Sequence, residues 1–316
     1  MERKEILYLV IPCYNEEEVL HETAKRLLEK MNTMINDNKI SDQSKIVFVN
    51  DGSKDKTWEI IEDLCEKNKI YNGIKLSRNK GHQNALMAGL ITVKEYADMV
   101  ISLDADLQDD INAIDKFVEE YYNGSDVVYG VRSSRKKDTF FKRTTALVFY
   151  KMMKKMGVDI TYNHADYRLM SKRALNELEN FKEVNLFLRG IIPLIGFKSS
   201  IIEYERNERF AGVSKYPFKK MLAFALDGIT SFSIKPIRMI LWIGVLFSFI
   251  SVLVLIYSLV QKIIGSTVDG WTFIICSIWL LSGIQLFALG VVGEYIGKVY
   301  IEIKARPKFI VEKFVR

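Results

Sequence analysis

Two stretches of 22 residues without a single charge, Met239 to Val260 and Trp271 to Val292, limit this chain more than any other feature. About 20 predominantly apolar residues cross a bilayer's hydrocarbon, and soluble cores rarely hold uncharged helices of that length. Gln285 is the one strongly polar side chain in the second run. The pair reads as two transmembrane helices, with two buried core helices as the competing reading. Lys235, Arg238, Lys298, Lys304, Arg306 and Lys308 flank the pair, whereas Lys262 is the one basic residue between the runs. Basic flanks mark the cytoplasmic side, so a hairpin with both ends in the cytoplasm is expected.

Ahead of the hairpin, residues 1 to about 135 alternate between two periods. The runs "ILYLVIP", "KIVFVND", "YNGIKLS", "DMVISLD" and "DVVYGVR" are short and rich in β-branched or aromatic residues. Between them lie helical patterns such as "EEEVLHETAKRLLEKM" and "DKTWEIIEDLCEKN". This alternation predicts an α/β domain with a mostly parallel sheet. Neither GxGxxG nor GxxxxGK[ST] occurs, which removes the main sequence support for a dinucleotide-binding enzyme or a P-loop NTPase. On helical wheels, 140–156 and 218–232 are amphipathic with lysines on their polar faces. Each is expected to lie at the membrane interface or to pack on its own domain; the nearby hairpin favours the interface.

The net charge of +6 and pI of about 8.9 fit nucleic acid, anionic lipid or a phosphorylated substrate equally well. Position decides against nucleic acid, because the basic residues crowd beside the membrane runs rather than along an aromatic-studded groove. Cys13, Cys65 and Cys276 are too scattered for a zinc site or a disulfide framework. The start, "MERKEILYLVIP", is too briefly apolar for a secretory signal.

Three strand ends deliver acids or amides to one sheet edge: "IPCYNEE", "VNDGSKD" and "LDADLQ". Carboxylates are seldom buried unless paired or metal-bound, and open α/β sheets bind ligands at the carboxyl ends of their strands. Asp104 and Asp106, with Gln108 two residues on, offer hard oxygen ligands suited to Mg²⁺ or Mn²⁺, with a solvated acidic loop as the competing reading. For Asp51 with Gly52 and Ser53, an ordinary capped turn and a functional acid are both open readings. His82 has no metal-spaced histidine partner and reads as a hydrogen-bonding or packing residue.

In order along the chain, "IPCYNEEEVL", "VNDGSKDKT", "SRNKGHQNALMAGL", "DADLQDD", "GVRSSR", "HADYRLM" and "AGVSKY", followed by two membrane runs, resemble the family 2 glycosyltransferases that act on polyprenyl phosphates. The set is similar to dolichyl-phosphate mannose synthases and most like bacterial polyprenyl-phosphate glucosyltransferases. The resemblance implies a GT-A type nucleotide-sugar-binding domain over residues 1–215, an interfacial helix and linker over 216–236, two transmembrane helices within 237–297 and a basic cytoplasmic tail over 298–316. It implies that Pro12, Tyr14, Glu16, Asp51, Arg78, Asp104, Ala105, Asp106 and Arg132 bind the nucleotide sugar, that Asp104, Asp106 and Gln108 surround the metal, and that Arg132 steadies the leaving diphosphate. Arg168, Arg209, Ser214 and Lys215 would meet the acceptor phosphate. Asp166 is expected to be catalytic, as a base or by orienting the sugar, or else to pin a turn with Arg168.

The implied reaction is inverting transfer of one hexose, glucose from UDP-glucose first among the donors, to a polyprenyl phosphate. GDP-mannose, UDP-N-acetylglucosamine and a UDP-aminopentose remain alternative donors, and a homo-oligomer stays open. A processive polysaccharide synthase fits poorly, since QxxRW is missing and two spans build no channel. A silent adaptor that binds nucleotide sugar without turnover is the rival outside enzymes. A chain cut after Ile234 is expected to fold, because the βα core precedes the cut.

Overall fold

The computed structural model describes residues 4–133, 164–183, 186–205, 235–264 and 270–316. Five strands stand where the β-branched runs predict them: β1 (Leu7–Cys13), β2 (Lys45–Asn50), β3 (Tyr71–Leu76), β4 (Met99–Ser102) and β5 (Val127–Arg132). Helices α1 (Leu20–Asn36), α2 (Thr57–Lys67), α3 (His82–Val93) and α4 (Ala113–Tyr122) join them in turn. Next come β6 (His164–Ser171), α5 (Lys172–Glu179), the short α6 (Leu188–Ile191) and β7 (Ser199–Tyr204). The long α7 (Lys235–Ile263) and α8 (Trp271–Ile303) follow, and β8 (Val311–Val315) closes the chain.

All eight strands share one sheet in the order β7-β5-β6-β4-β1-β2-β3-β8. The β4-β1-β2-β3 run is parallel, while β6 enters antiparallel between β4 and β5. The central parallel strands are apolar on both faces because helices cover both. Leu20 and Leu27 of α1, Ile61 of α2 and Phe117 of α4 belong to one core; Leu86 and Leu90 of α3 and Leu175 of α5 belong to the other. Helix α3 lies especially close to the sheet, since a Cβ on Gly89 would come within 2.5 Å of Val10 and 2.7 Å of Val49. This is a GT-A type arrangement, as the resemblance implies.

Residues 311–315, expected only as part of a basic tail, pair antiparallel with β3 as an edge strand. Lys75 meets Glu312 at 2.9 Å and Lys313 meets Glu62 at 2.7 Å, while Phe309, Val311 and Phe314 pack against the α3-side core. A cut after Ile234 would strip this strand and bare the edge of β3, since the sheet draws one strand from beyond the apolar helices.

Helices α7 and α8 both outrun the uncharged stretches. Leu280–Ile303, of mean hydropathy 1.5 and wholly unburied, is the one described segment long and apolar enough to cross a membrane. Ile237–Phe247 is a shorter apolar helical segment. Leu286, Phe287 and Leu289 stand exposed on α8, a surface that suits lipid rather than water. The amphipathic stretches 140–156 and 218–232 lie outside the described residues.

Candidate active site

The acids converge at the carboxyl ends of β1, β2 and β4. Pro12 sits at the end of β1 opposite Val49, and the following loop is tied to the one after β2. The backbone N–H of Asn15 donates to Ser53 Oγ at 3.0 Å, and that of Glu16 to Thr57 Oγ1 at 2.9 Å. Tyr14 and Glu16 are half-buried in this loop. Asp51 is buried and accepts the backbone N–H groups of Lys80 at 2.7 Å and Gly81 at 2.8 Å. Burial raises its carboxyl above the usual value, against the pull of those two donors. Gly52 has φ +64° and its Cα faces the 78–79 backbone so closely that a Cβ would stand 2.5 Å from Asn79 N. Arg78 and Asn79 are exposed, so at this contact their backbone, not their side chains, is what meets the Asp51 turn.

Asp104, Ala105 and Asp106 follow β4. Ala105 is buried and its carbonyl accepts the Thr23 hydroxyl at 2.7 Å, which anchors the loop between the two half-exposed acids. The backbone N–H of Gln108 donates to Asp106 Oδ1 at 3.2 Å, around Leu107 at φ +57°. Beside them, the buried Asp109 accepts the Tyr204 hydroxyl at 2.6 Å and lies 3.7 Å from Arg132 Nη2. Burial and the neighbouring charge of Asp104 push Asp109 up to about 6, although Tyr204 and Arg132 oppose them.

The second cluster centres on Asp166 of β6. Arg168 Nη2 binds Asp166 Oδ1, Arg189 reaches both oxygens at 3.2 and 3.3 Å, and Gln83 Nε2 donates at 3.3 Å. His82 Nε2 stands between the clusters, 3.6 Å from Asp166 and 3.7 Å from Asp104. Burial disfavours its charged form, but the two carboxylates outweigh that and raise it to about 9, so the ring is cationic at neutral pH. Burial alone would raise Asp166; Arg189, His82 and Arg168 together hold it well below the usual carboxylate range. A carboxylate so held is a poor base and a firm anchor.

Most of the expected donor residues therefore meet at one edge. Arg168, expected at the acceptor phosphate, is instead inside the protein with 1% of its side chain exposed, because β6 turns it into the sheet beside Asp166. Arg189, one-third exposed, is the accessible arginine on that carboxylate, and its sequence context carried no signal. Tyr204 was equally silent; Asp109 and Gln83 stand inside "DADLQDD" and "SRNKGHQNALMAGL", but their roles come from long-range pairing. Arg209, Ser214 and Lys215 lie outside the described residues.

The mostly parallel sheet with acids gathered at its carboxyl edge agrees with a GT-A type arrangement. The match to the Glycosyl transferase family 2 model over residues 8–179 says the same, and the chain belongs to that family. Residues 235–299 match the GtrB C-terminal hairpin. The uncharacterized glycosyltransferase YkoT of Bacillus subtilis (strain 168) is 53% identical over 97% of this chain and 91% of its own. The SfII prophage-derived bactoprenol glucosyl transferase of Shigella flexneri is 39% identical over 96% of this chain and 97% of its own. Among solved structures, mannosyl-3-phosphoglycerate synthase from Rubrobacter xylanophilus aligns with 71% of each chain at 12% identity and a TM-score of 0.47.

Proposed function

We propose that this glycosyltransferase moves one hexose, glucose from UDP-glucose, onto a polyprenyl phosphate at the cytoplasmic face of a membrane. The observation that carries this reading is the meeting of Asp51, Asp104, Asp106 and the Asp109–Arg132 pair at one carboxyl edge of the parallel sheet. The relatives named bactoprenol glucosyl transferases support the acceptor and the sugar. The matched hairpin and the apolar helix α8 support a membrane-anchored, two-span topology.

Asp51 binds the nucleoside, with Pro12, Tyr14, Glu16 and Arg78 around it. A divalent cation fits the next acids: Asp104 and Asp106 are hard donors, and their charge already helps lift Asp109 to about 6, a field that a dication relieves. Mg²⁺ and Mn²⁺ bind through a few such carboxylates plus substrate phosphates, and Asp104, Asp106 and Gln108 are the residues that would hold the ion. When bound, the ion neutralises charge on the departing diphosphate. Arg132 adds a fixed cation to the same charge.

An acceptor phosphate monoester is mostly ionised near neutral pH, with a second pKa of about 6, so its oxygen needs little deprotonation. Attack on the anomeric carbon opposite departing UDP inverts the centre and gives a β-linked lipid-phosphate sugar. Asp166 positions rather than deprotonates: it fixes Arg189 and His82 beside the donor acids.

The donor is tested by offering purified full-length protein equal UDP-glucose, GDP-mannose, UDP-N-acetylglucosamine and UDP-aminopentose with undecaprenyl phosphate. UDP-glucose is expected to dominate the glycolipid product. A product carrying mannose instead would reassign the donor.

A further inference from the structure

A cleft of about 370 Å³ opens where the end of α8 and the strap after it pass α3, lined in part by Lys80, Asn84, Tyr300, Lys304, Arg306 and Lys308. Its charge is one-sided: four of those six are basic. Among the described residues no carboxylate pairs with Lys80, Lys304 or Arg306, although Lys304 Nζ stacks 4.1 Å over the Tyr300 ring. Asn84 spends its Nδ2 on the Lys80 carbonyl at 2.8 Å, while its buried Oδ1, an acceptor, has no partner among the described residues. Glu183 and Glu302 partly offset the charge of Lys308, but Lys80, Lys304 and Arg306 line the same concave space and repel one another, and an anion relieves that repulsion.

The walls are built rather than incidental. Ser77 N donates to the Ile310 carbonyl at 3.0 Å, β8 pairs with β3 just beyond, and Lys308 Nζ holds the Phe181 carbonyl at 2.8 Å. The cleft borders the reaction centre without sharing its acids: none of Asp51, Asp104, Asp106 or Asp166 lines it, although Lys80 bonds Asp51 through its backbone. Asn84 lies two residues after His82, about 200° round the helix from it. The volume equals roughly a dozen waters at ~30 Å³ each, ample for a phosphate with a glyceryl stub.

We infer that this cleft is a second anion site that takes a phosphate ester which is not the reacting one. Membrane lipid is the favoured source. The cleft adjoins the last turn of Leu280–Ile303, the segment apolar enough to cross a bilayer, and Tyr300, Ile301 and Ile303 there are exposed. A tyrosine with basic residues at the end of an apolar helix is the chemistry of the headgroup layer. Lys80 also gives its backbone N–H to Asp51, so an occupant steadies the loop that closes on the nucleoside.

The test titrates detergent-solubilised full-length protein with phosphatidylglycerol, phosphatidylcholine or soluble glycerol 3-phosphate, and counts bound molecules by native mass spectrometry without any sugar donor. Phosphatidylglycerol should bind in preference to phosphatidylcholine. The Lys304→Gln/Arg306→Gln pair should weaken that binding roughly 30-fold, from the usual contribution of two basic side chains at a lipid phosphate. The charge-keeping Lys304→Arg/Arg306→Lys pair should restore it, which separates charge from folding. Glycerol 3-phosphate binding with the same dependence on charge would keep the site and assign it a soluble source. Equal phosphatidylglycerol binding by wild type and the glutamine pair, or no preference among the three ligands, overturns the inference. Because no donor is present, these outcomes stand apart from the transfer reaction.

Discussion

Asp106→Ala is expected to lower transfer by about 10³-fold or more at saturating Mg²⁺ or Mn²⁺ while leaving the fold intact. The proposed ion stabilises the diphosphate's developing charge by several kcal/mol, and each ~1.4 kcal/mol lost is a tenfold loss in rate. Asp106 is half-exposed in a loop already anchored through the buried Ala105 and its carbonyl, so removing the carboxylate opens no cavity in either core. Thermal unfolding of the variant should match wild type within a few degrees, and UDP should still bind through the Asp51 side of the site. Wild-type protein in excess EDTA should show the same loss, reversed by added metal. A variant within threefold of wild-type turnover, or full activity in EDTA, would remove the cation from the mechanism.

Asp166→Ala carries the largest expected cost in stability. Arg168 is 1% exposed, its Nη2 is bound to Asp166, and its Nε and Nη1 have no hydrogen-bond partner among the described residues. Breaking a buried ion pair from one side costs roughly 3–5 kcal/mol, because the other charge stays behind unsolvated. Asp166→Asn keeps the shape and loses less, yet it still faces Arg168, Arg189 and a cationic His82 without their counter-charge. The pH dependence follows from the direction of the shift. A carboxyl held below its unfolded value near ~3.9 adds stability that is complete above that pH and fades as pH falls through the folded value. The gap between wild type and the asparagine variant should therefore be widest at neutral pH and narrow below about 4. Unfolding temperatures of both proteins across that range measure it. A variant as stable as wild type at neutral pH, with normal turnover, would show that the cluster neither holds the fold nor orients the substrate.

The parallel core was legible because burial on both faces requires continuous β-branched runs, and "KIVFVN" or "MVIS" offers no other use for them. Strand β6 was opaque for the opposite reason. Its central positions hold Asp166 and Arg168, which look like surface residues until the fold pairs them, so "HADYRLM" reads as a motif and not as an inner strand. Strand β8 hid behind its length and its charges: "VEKFV" at a chain end looks like a tail, and only the open edge of β3 makes it a strand. Asp51, Asp104 and Asp106 were legible as a group because strand ends announce themselves and parallel order sends them to one edge. Arg189 was not, since it sits in no patterned neighbourhood, and Asp109, though inside "DADLQDD", gains its role from Tyr204 many positions away.

The central claim is that a sugar leaves a nucleotide and arrives on a lipid phosphate. The most direct measurement incubates full-length protein with radiolabelled UDP-glucose, undecaprenyl phosphate and Mg²⁺, then follows the label into the organic phase together with released UDP. Label should enter the lipid in equal amount to UDP formed, in a β-linked, acid-labile phosphodiester, and should vanish with Asp106→Ala. UDP release without lipid label, or labelled lipid formed equally well by the Asp106 variant, would contradict it.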